Sequence, residues 1–251
     1  MNIISRKQRE IRQREEQILE VASRMLGEVG YLGITMDRIA AAIEYSKGTV
    51  YQHFGNKEEL LIALMMRRKH EMVRLFRLAA AFDGSTRERI TAVGEAYMLF
   101  TQLYPVEFQH LPTLLSPSIC DKASPNRCAE LSGQDQECMD VVTAVVVEAT
   151  AKGELTLPRD LSPVELVFGL WSTMYGALTL MQTAIPFQEI GIADAYTALS
   201  RNLQALLDGV GWQPYSHQFD GQQLVARIHR EVFASELASL NTAVSEGASH
   251  G

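Results

Sequence analysis

The chain has 251 residues, 47% hydrophobic and 21% charged, which is enough apolar material for a sizeable core and argues against wholesale disorder. The formal charge of −7 excludes a uniformly basic surface, yet residues 1–77 hold 14 Lys/Arg against 10 Asp/Glu, while the remainder holds 9 against 20. Three cysteines do not make a secreted disulfide framework, and the charged N-terminus lacks the apolar run of a signal peptide, so a cytoplasmic protein is expected.

The elements are helical almost throughout. From Ser5 to Val29, Ile11, Ile18, Ala22, Met25, Leu26 and Val29 recur at the helical period, and Gly30 ends the run. A second helix starts after Thr35, with Asp37 near its positive end, and a third after Ser46. A fourth starts after Asn56, where Asn56 and Glu59 have capping-box spacing, and runs to about Ala81 before the break at Asp83-Gly84-Ser85. Further helices are expected over 86–104 and 106–115. Leu115 to Gly133, with Pro117 and Pro125, is expected to be irregular, and a helix follows from Leu131 to Ala151.

Ser162-Pro163-Val164-Glu165 joins a capping serine, a first-turn proline and a third-position glutamate, and opens a helix running to about Thr183. Leu166 to Gln188 carries no formal charge and is long enough to span a bilayer. Its Ser, Thr and Gln content and missing basic flanks favour burial in the protein or in a dimer interface instead. Helices over 193–207 and 222–240 complete the pattern, and the small polar residues 241–251 are expected to be a disordered tail. No period-2 strand pattern is long enough to read as a sheet, so the expected class is all-α.

The informative window runs from Thr35 to Leu60 and reads as helix, short turn, helix, short turn, helix. Its second helix begins at Ser46 and contains no acid: Ser46, Lys47, Gly48, Thr49, Tyr51, Gln52 and His53 are small, basic or hydrogen-bonding. In a helix-turn-helix the second helix enters the major groove tip first, where phosphates flank it on both sides, and an acid-free tip suits that field. Val50 and Phe54, four apart, would anchor it on the core. A three-helix packing unit with no DNA contact is the competing reading of the same residues.

These residues resemble the tetracycline-repressor (TetR) family of regulators. The resemblance rests on Gly30-Tyr31, Thr35, Ile39-Ala40, Ser46-Lys47-Gly48-Thr49-Val50-Tyr51, His53-Phe54, Lys57 and Leu60-Leu61, over roughly residues 10–64. It implies a helix-turn-helix DNA-binding domain over 1–56 and a larger helical effector-binding and dimerisation domain over 57–240. It also implies a homodimer on a palindromic operator in double-stranded DNA, repression as the usual mode, no enzyme activity and no membrane. By the same resemblance Thr35 contacts phosphate, and Ser46, Lys47, Gly48 and Thr49 form the recognition tip. Tyr51 and His53, and with them Gln52 and Tyr45, meet backbone or bases, and Lys57 clamps phosphate. Arg6, Lys7, Arg9 and Arg12 would be a flexible arm beside the duplex. One departure stands out: Ile43-Glu44-Tyr45 occupies the turn where the family places a glycine, so Glu44 must accept a positive φ or the turn must differ.

The remainder should hold an effector site and a dimer seam. By the same resemblance two helices, 162–183 and 193–207, would pair with their copies, with Leu166, Leu170 and Leu203 filling the seam. Phe100, Tyr104, Phe108, His110, Met139, Phe168, Trp171, Met174, Tyr175 and Met181 suit an apolar, adaptable pocket for a small molecule, and equally an ordinary core. Cys120, Cys128 and Cys138 lack the paired spacing of a usual zinc site. A loop could still gather three thiols around a soft metal or an iron–sulfur cluster, two could act as a redox switch, or all could be small packing residues. No phosphate-cradling glycine loop, HEXXH or GXSXG is present, and no cofactor is required. An effector or thiol event would shift the fourth helix and change recognition-helix spacing, provided it favours one of two states.

Overall fold

A computed structural model describes residues 6–248, with side chains described through residue 242. Among these residues there are helices and no strand: α1 (Arg6–Gly33), α2 (Met36–Ala42), α3 (Lys47–His53), α4 (Lys57–Ala80), α5 (Thr86–Leu103), α6 (Pro105–Leu114), α7 (Pro117–Cys120), α8 (Pro125–Ala151), α9 (Pro163–Met181), α10 (Ala195–Gly209), α11 (Gly221–Glu231) and α12 (Ala234–Ala248). The chain divides into two compact units, 6–71 with 104–135, and 72–103 with 136–248. That division is not the linear cut at 56/57.

The reason lies in the first unit's core. Ile18, Ala22 and Leu26 of α1, Ile39 and Ala40 of α2, Val50 of α3 and Leu60, Leu61 and Leu64 of α4 are all buried. Leu114, Ile119 and Leu131 join the same cluster, so α6, α7 and the start of α8 close it. Each of these three large side chains contributes roughly 1.5–3 kcal/mol on burial, enlarging a core that would be small for α1–α4 alone. A buried carboxylate crosses this unit as well: Glu107 of α6 accepts from Ser23 Oγ (2.6 Å) and pairs with Arg68 Nε (2.7 Å). The Arg68 guanidinium also lies 4.3 Å from the Tyr104 ring centroid. Gly30 has φ 65 and breaks α1 where the sequence placed its end.

Residues 115–133 are more ordered than expected. Pro117 and Pro125 each stand at the first position of a helix, preceded by Ser116 and Ser124, so the prolines start helices rather than interrupt them. At the other end α12 continues helical through residue 248, beyond the point where a disordered tail was expected; residues 249–251 lie outside the described residues.

The second unit packs α5 against α9, α11 and α12, and α9 against α10. Val93, Ala96, Val146, Met174, Leu178, Leu199 and Ile228 are buried in it. Arg87 of α5 is fully buried and donates to the Trp212 and Gln204 carbonyls, to Gln204 Oε1 and to Asp208 Oδ1 (2.8 Å). Trp212 Nε1 in turn donates to Thr86 Oγ1 at 3.0 Å. These bonds repay the desolvation that a buried guanidinium demands.

Candidate nucleic-acid interface

Local chemistry sets the two helices of the motif. Thr35 caps α2, its hydroxyl accepting from Arg38 N (3.2 Å), and Ser46 caps α3, accepting from Thr49 N (3.1 Å). Between them the chain turns through a left-handed residue. Ile43 closes α2, Glu44 follows at φ 55, and Tyr45 N–H donates to Ala40 O (3.0 Å) while Glu44 N–H donates to Ala41 O (3.3 Å). That is a Schellman ending, normally built on glycine. Of the two outcomes expected for this turn the structure takes the first: Glu44 accepts the positive φ and bears its strain.

On α3, Lys47, Gly48, Tyr51 and Gln52 are exposed, and Val50 is buried. A Cβ built on Gly48 would meet only Ser46 Oγ, at 3.8 Å, so its backbone is open to close approach. Ser46 Oγ and Thr49 Oγ1 lie 2.8 Å apart, so both hydroxyls take part in the cap as well as facing outward from the tip. Lys47 Nζ is held by Asp37 Oδ2 of α2 at 2.5 Å, in an exposed pair. The hydrogen bond to Asp37, and then its charge, keep this ammonium above its ordinary pKa. Tyr45 OH donates to Gln17 Oε1 of α1 at 2.8 Å.

Two expected contacts sit differently from the resemblance. His53 does not face outward with Tyr51; its side chain is 9% exposed and its Nδ1 lies 3.4 Å from Glu15 Oε1, so it fastens α3 to α1. Arg6, Lys7, Arg9 and Arg12 are exposed but belong to the first turns of α1, with Arg6 paired to Glu10 at 2.9 Å, so within the described residues the expected flexible arm is helix. Lys57, at the first turn of α4, donates to Tyr31 O (3.2 Å) and lies 4.0 Å from the Tyr31 ring centroid. The Tyr31 hydroxyl donates to Glu58 Oε1 at 2.9 Å; burial first, and then Glu58, raise its pKa. Asp37 and Gln17 were missed as site residues. The mark of Asp37 was an acid on α2 beside an otherwise acid-free recognition tip; nothing local singled out Gln17.

The expected effector residues are divided between the two units. Tyr104, Phe108 and His110 belong to the first unit, and Phe108 is buried. In the second unit Phe100 is buried and Met139 half-buried, whereas Phe168 and Trp171 are 58% and 46% exposed. Phe168, Trp171 and Tyr175 form a row along α9, with ring centroids 6.2 and 6.3 Å apart. Val164 extends this exposed stripe, while Leu166, Leu170, Met174 and Leu178 form the opposite, buried one. Leu166, Leu170 and Leu203 are thus core of one chain rather than free seam residues, because their stripes already face α5 and the α9–α10 contact. Among the described residues α9 is the helix long and apolar enough to cross a membrane by length and composition, and 28% of its apolar stretch is buried.

A groove of about 950 Å³ lies elsewhere in this unit, between α5, α10 and α11. Met98, Leu99, Leu224 and Leu237 line its apolar side. Glu95, buried, meets His229 Nε2 at 2.9 Å on its polar side. The cysteines divide too: Cys120 and Cys128 pack on the first unit's core, and Cys138 is buried among residues of the second. Among the described residues no three His, Cys, Asp or Glu side chains gather as a metal site, so the three-thiol cluster does not form.

Comparison with known proteins agrees with this geometry. The profile described as "Bacterial regulatory proteins, tetR family" matches residues 18–64. The HTH-type transcriptional activator FasR of Mycolicibacterium smegmatis is 34% identical over 90 residues, 36% of this chain and 41% of FasR. The HTH-type transcriptional repressor AcnR of Corynebacterium efficiens is 45% identical over 49 residues, 20% of this chain and 26% of AcnR. The chain therefore spans less than half the length of these curated relatives. A regulator of the TetR/AcrR family from Thermobifida fusca is 26% identical at TM-score 0.58, covering 78% of this chain and 98% of that one.

Proposed function

For a chain with a TetR-family helix-turn-helix domain on an all-helical TetR-like fold, we propose sequence-specific binding of operator DNA as a homodimer, tuned by a small molecule in the second unit. The observation that carries this reading is the acid-free outer face of α3, on which Lys47, Gly48, Tyr51 and Gln52 stand exposed beside the Ser46–Thr49 tip. Such a helix offers donors to base edges, while Thr35 and Lys57 flank it as phosphate contacts. The similar proteins include both an activator and a repressor.

The dimer reading rests on α9. Its second apolar stripe, Val164, Phe168, Trp171 and Tyr175, has the i, i+4, i+7, i+11 spacing of one helix face and is left uncovered by its own chain at Val164, Phe168 and Trp171. A second copy would bury it, and two recognition helices would then read two half-sites. The effector reading rests on the α5–α10–α11 groove, whose volume falls within the range of small-molecule sites. Its lining suits an amphiphile, apolar against Met98, Leu99 and Leu224 and polar against the Glu95–His229 pair.

The test is selection of duplexes from a random library by the reduced full-length protein at moderate salt. A palindromic site, weakened uniformly by Lys57→Ala and altered in preference by Lys47→Ala or Tyr51→Ala, is the expected result. Recovery of no enriched site would overturn the operator reading. Equal losses on every sequence for all three variants would overturn base readout by α3.

A further inference from the structure

Two of the three thiols meet inside the unit that carries the recognition helix. Cys120 ends α7 and Cys128 lies in the first turn of α8, both partly buried against the first unit's core. Cys128 Sγ donates to the Cys120 carbonyl oxygen at 3.5 Å, which brings the two cysteines together across the α7–α8 turn. Burial first, then Cys120 and the carboxylates of Glu59 and Asp121, push the Cys128 thiol up to about 11.

The segment between the thiols is fastened to the start of α4. Asn56 Nδ2 donates to Lys122 O at 2.9 Å, and Ser124 N–H donates to Glu59 Oε1. Arg127 pairs with the other oxygen of Glu59, and its guanidinium lies 5.4 Å from the ring centroid of Phe54, the residue that closes α3. Asn56 itself caps α4 by accepting from Glu59 N at 2.8 Å. The thiol pair thus flanks a strap that holds the junction between the recognition helix and α4.

We propose that Cys120 and Cys128 are a redox modification site, at which a peroxide-class oxidant joins the two sulfurs as a disulfide and weakens the DNA-binding face. The step balances. The Cys120 thiolate attacks the peroxide O–O bond and becomes a sulfenic acid, releasing water once a proton is taken up. The Cys128 thiol then displaces the sulfenic oxygen as a second water and forms the S–S bond. The two thiols lose two electrons and two protons, and the peroxide is reduced to two waters. Cys128, raised by burial, enters second as the resolving sulfur and gives up its proton to the departing sulfenic oxygen. An S–S bond of about 2.05 Å draws the Cys128 sulfur off the Cys120 carbonyl and moves the first turn of α8, which bears Arg127. Glu59 then loses the partners that fix the strap.

This inference rests on the operator reading, and the experiment separates the two. Reduced full-length protein is treated with hydrogen peroxide, alkylated, digested and mapped by mass spectrometry. A linked peptide joining Cys120 to Cys128 is expected, absent from Cys120→Ser and Cys128→Ser and retained in Cys138→Ser. Ser124 amide exchange should accelerate on oxidation, with no DNA present. The selected duplex should bind oxidised protein at least about tenfold more weakly, a change of ~1.4 kcal/mol. Dithiothreitol should restore binding, and the two single serine variants should show no such change. Failure of the reduced protein to retain any duplex overturns the operator reading, while the peptide map and the Ser124 exchange still decide the thiol site. Absence of the linked peptide overturns the thiol site. So does a disulfide that leaves Ser124 exchange unchanged, or one that leaves the affinity of a binding-competent protein unchanged.

Discussion

Replacing Glu44 by glycine should stabilise the first unit. Glu44 sits at φ 55 in the turn between α2 and α3, and a left-handed L-residue costs roughly 1–2 kcal/mol. Glycine removes that cost but gives up about 0.4–1 kcal/mol through the greater freedom of the unfolded chain. The net gain is about 0.5–1 kcal/mol, equivalent to roughly 1–4 °C in Tm for a chain of this size. Asparagine tolerates the left-handed region better than glutamate, so Glu44→Asn should recover part of the gain. Glu44→Gln keeps the strain and removes only the charge. Denaturant midpoints, with amide exchange across residues 40–50, read the turn directly. A series in which Gln matches Gly, or in which Gly destabilises, would refute the strain argument. On DNA the order should differ: all three neutral substitutions raise non-specific affinity at low salt, because each removes an exposed acid beside a helix that meets phosphates.

Asp37→Asn should strengthen binding to all duplexes, since Lys47 loses its intramolecular partner; unchanged affinity by fluorescence anisotropy would show that the pair is open in solution. Trp171→Glu should shift the protein from dimer to monomer in sedimentation at micromolar concentration without loss of helicity, because Trp171 lies on the exposed stripe of α9. Arg87→Met should cost about 3–5 kcal/mol by leaving Asp208 and two carbonyls without their donor, measured as a fall in denaturant midpoint. Burial alone would raise the Asp208 carboxyl, but the Ser216 hydrogen bonds and Arg87 override it and hold its pKa below the ordinary value. Its stabilisation is therefore present above the unfolded carboxylate pKa of about 4 and lost as pH falls through the lower folded value. Asp208→Asn should flatten that acid limb of the stability profile.

What was legible in the sequence was what local chemistry decides. The caps at Thr35, Ser46 and Ser162 and the stop at Gly30 are one-residue signals, and each stands where expected. The same rule was available at Ser116-Pro117 and Ser124-Pro125, but the density of breakers there suggested a loop, and tertiary packing of Ile119 and Leu131 decided for helix. The inward turn of His53 could also have been read. It follows Val50 by three, so it shares the face that anchors α3, one turn below a buried residue. Other features were not readable. α9 is apolar on most of its surface, and no periodicity says which stripe its own chain covers. Residue type alone does not single out effector residues, because aromatics recur in cores, on exposed faces and in pockets alike.

On the proposed operator reading, the α3 face divides into parts fixed before DNA arrives and one part that must change. Lys57 is already set by the Tyr31 ring and carbonyl, and Ser46 and Thr49 are locked in the cap. Such groups bind with little ordering cost, and because phosphates are alike in every duplex they add affinity without much choice. Lys47 differs, since Asp37 must release it before it can meet the groove. The exchange is favourable only where the duplex presents an acceptor that competes with a carboxylate 2.5 Å away. A guanine edge does so with two acceptors, and an adenine or thymine edge with one. An internal carboxylate thus acts as the reference against which base pairs are compared, and discrimination comes from the difference between the two affinities. On that reasoning Asp37→Asn should raise affinity by the full cost of the pair on sites that already draw Lys47 away, and by no more than that on sites that leave the pair closed.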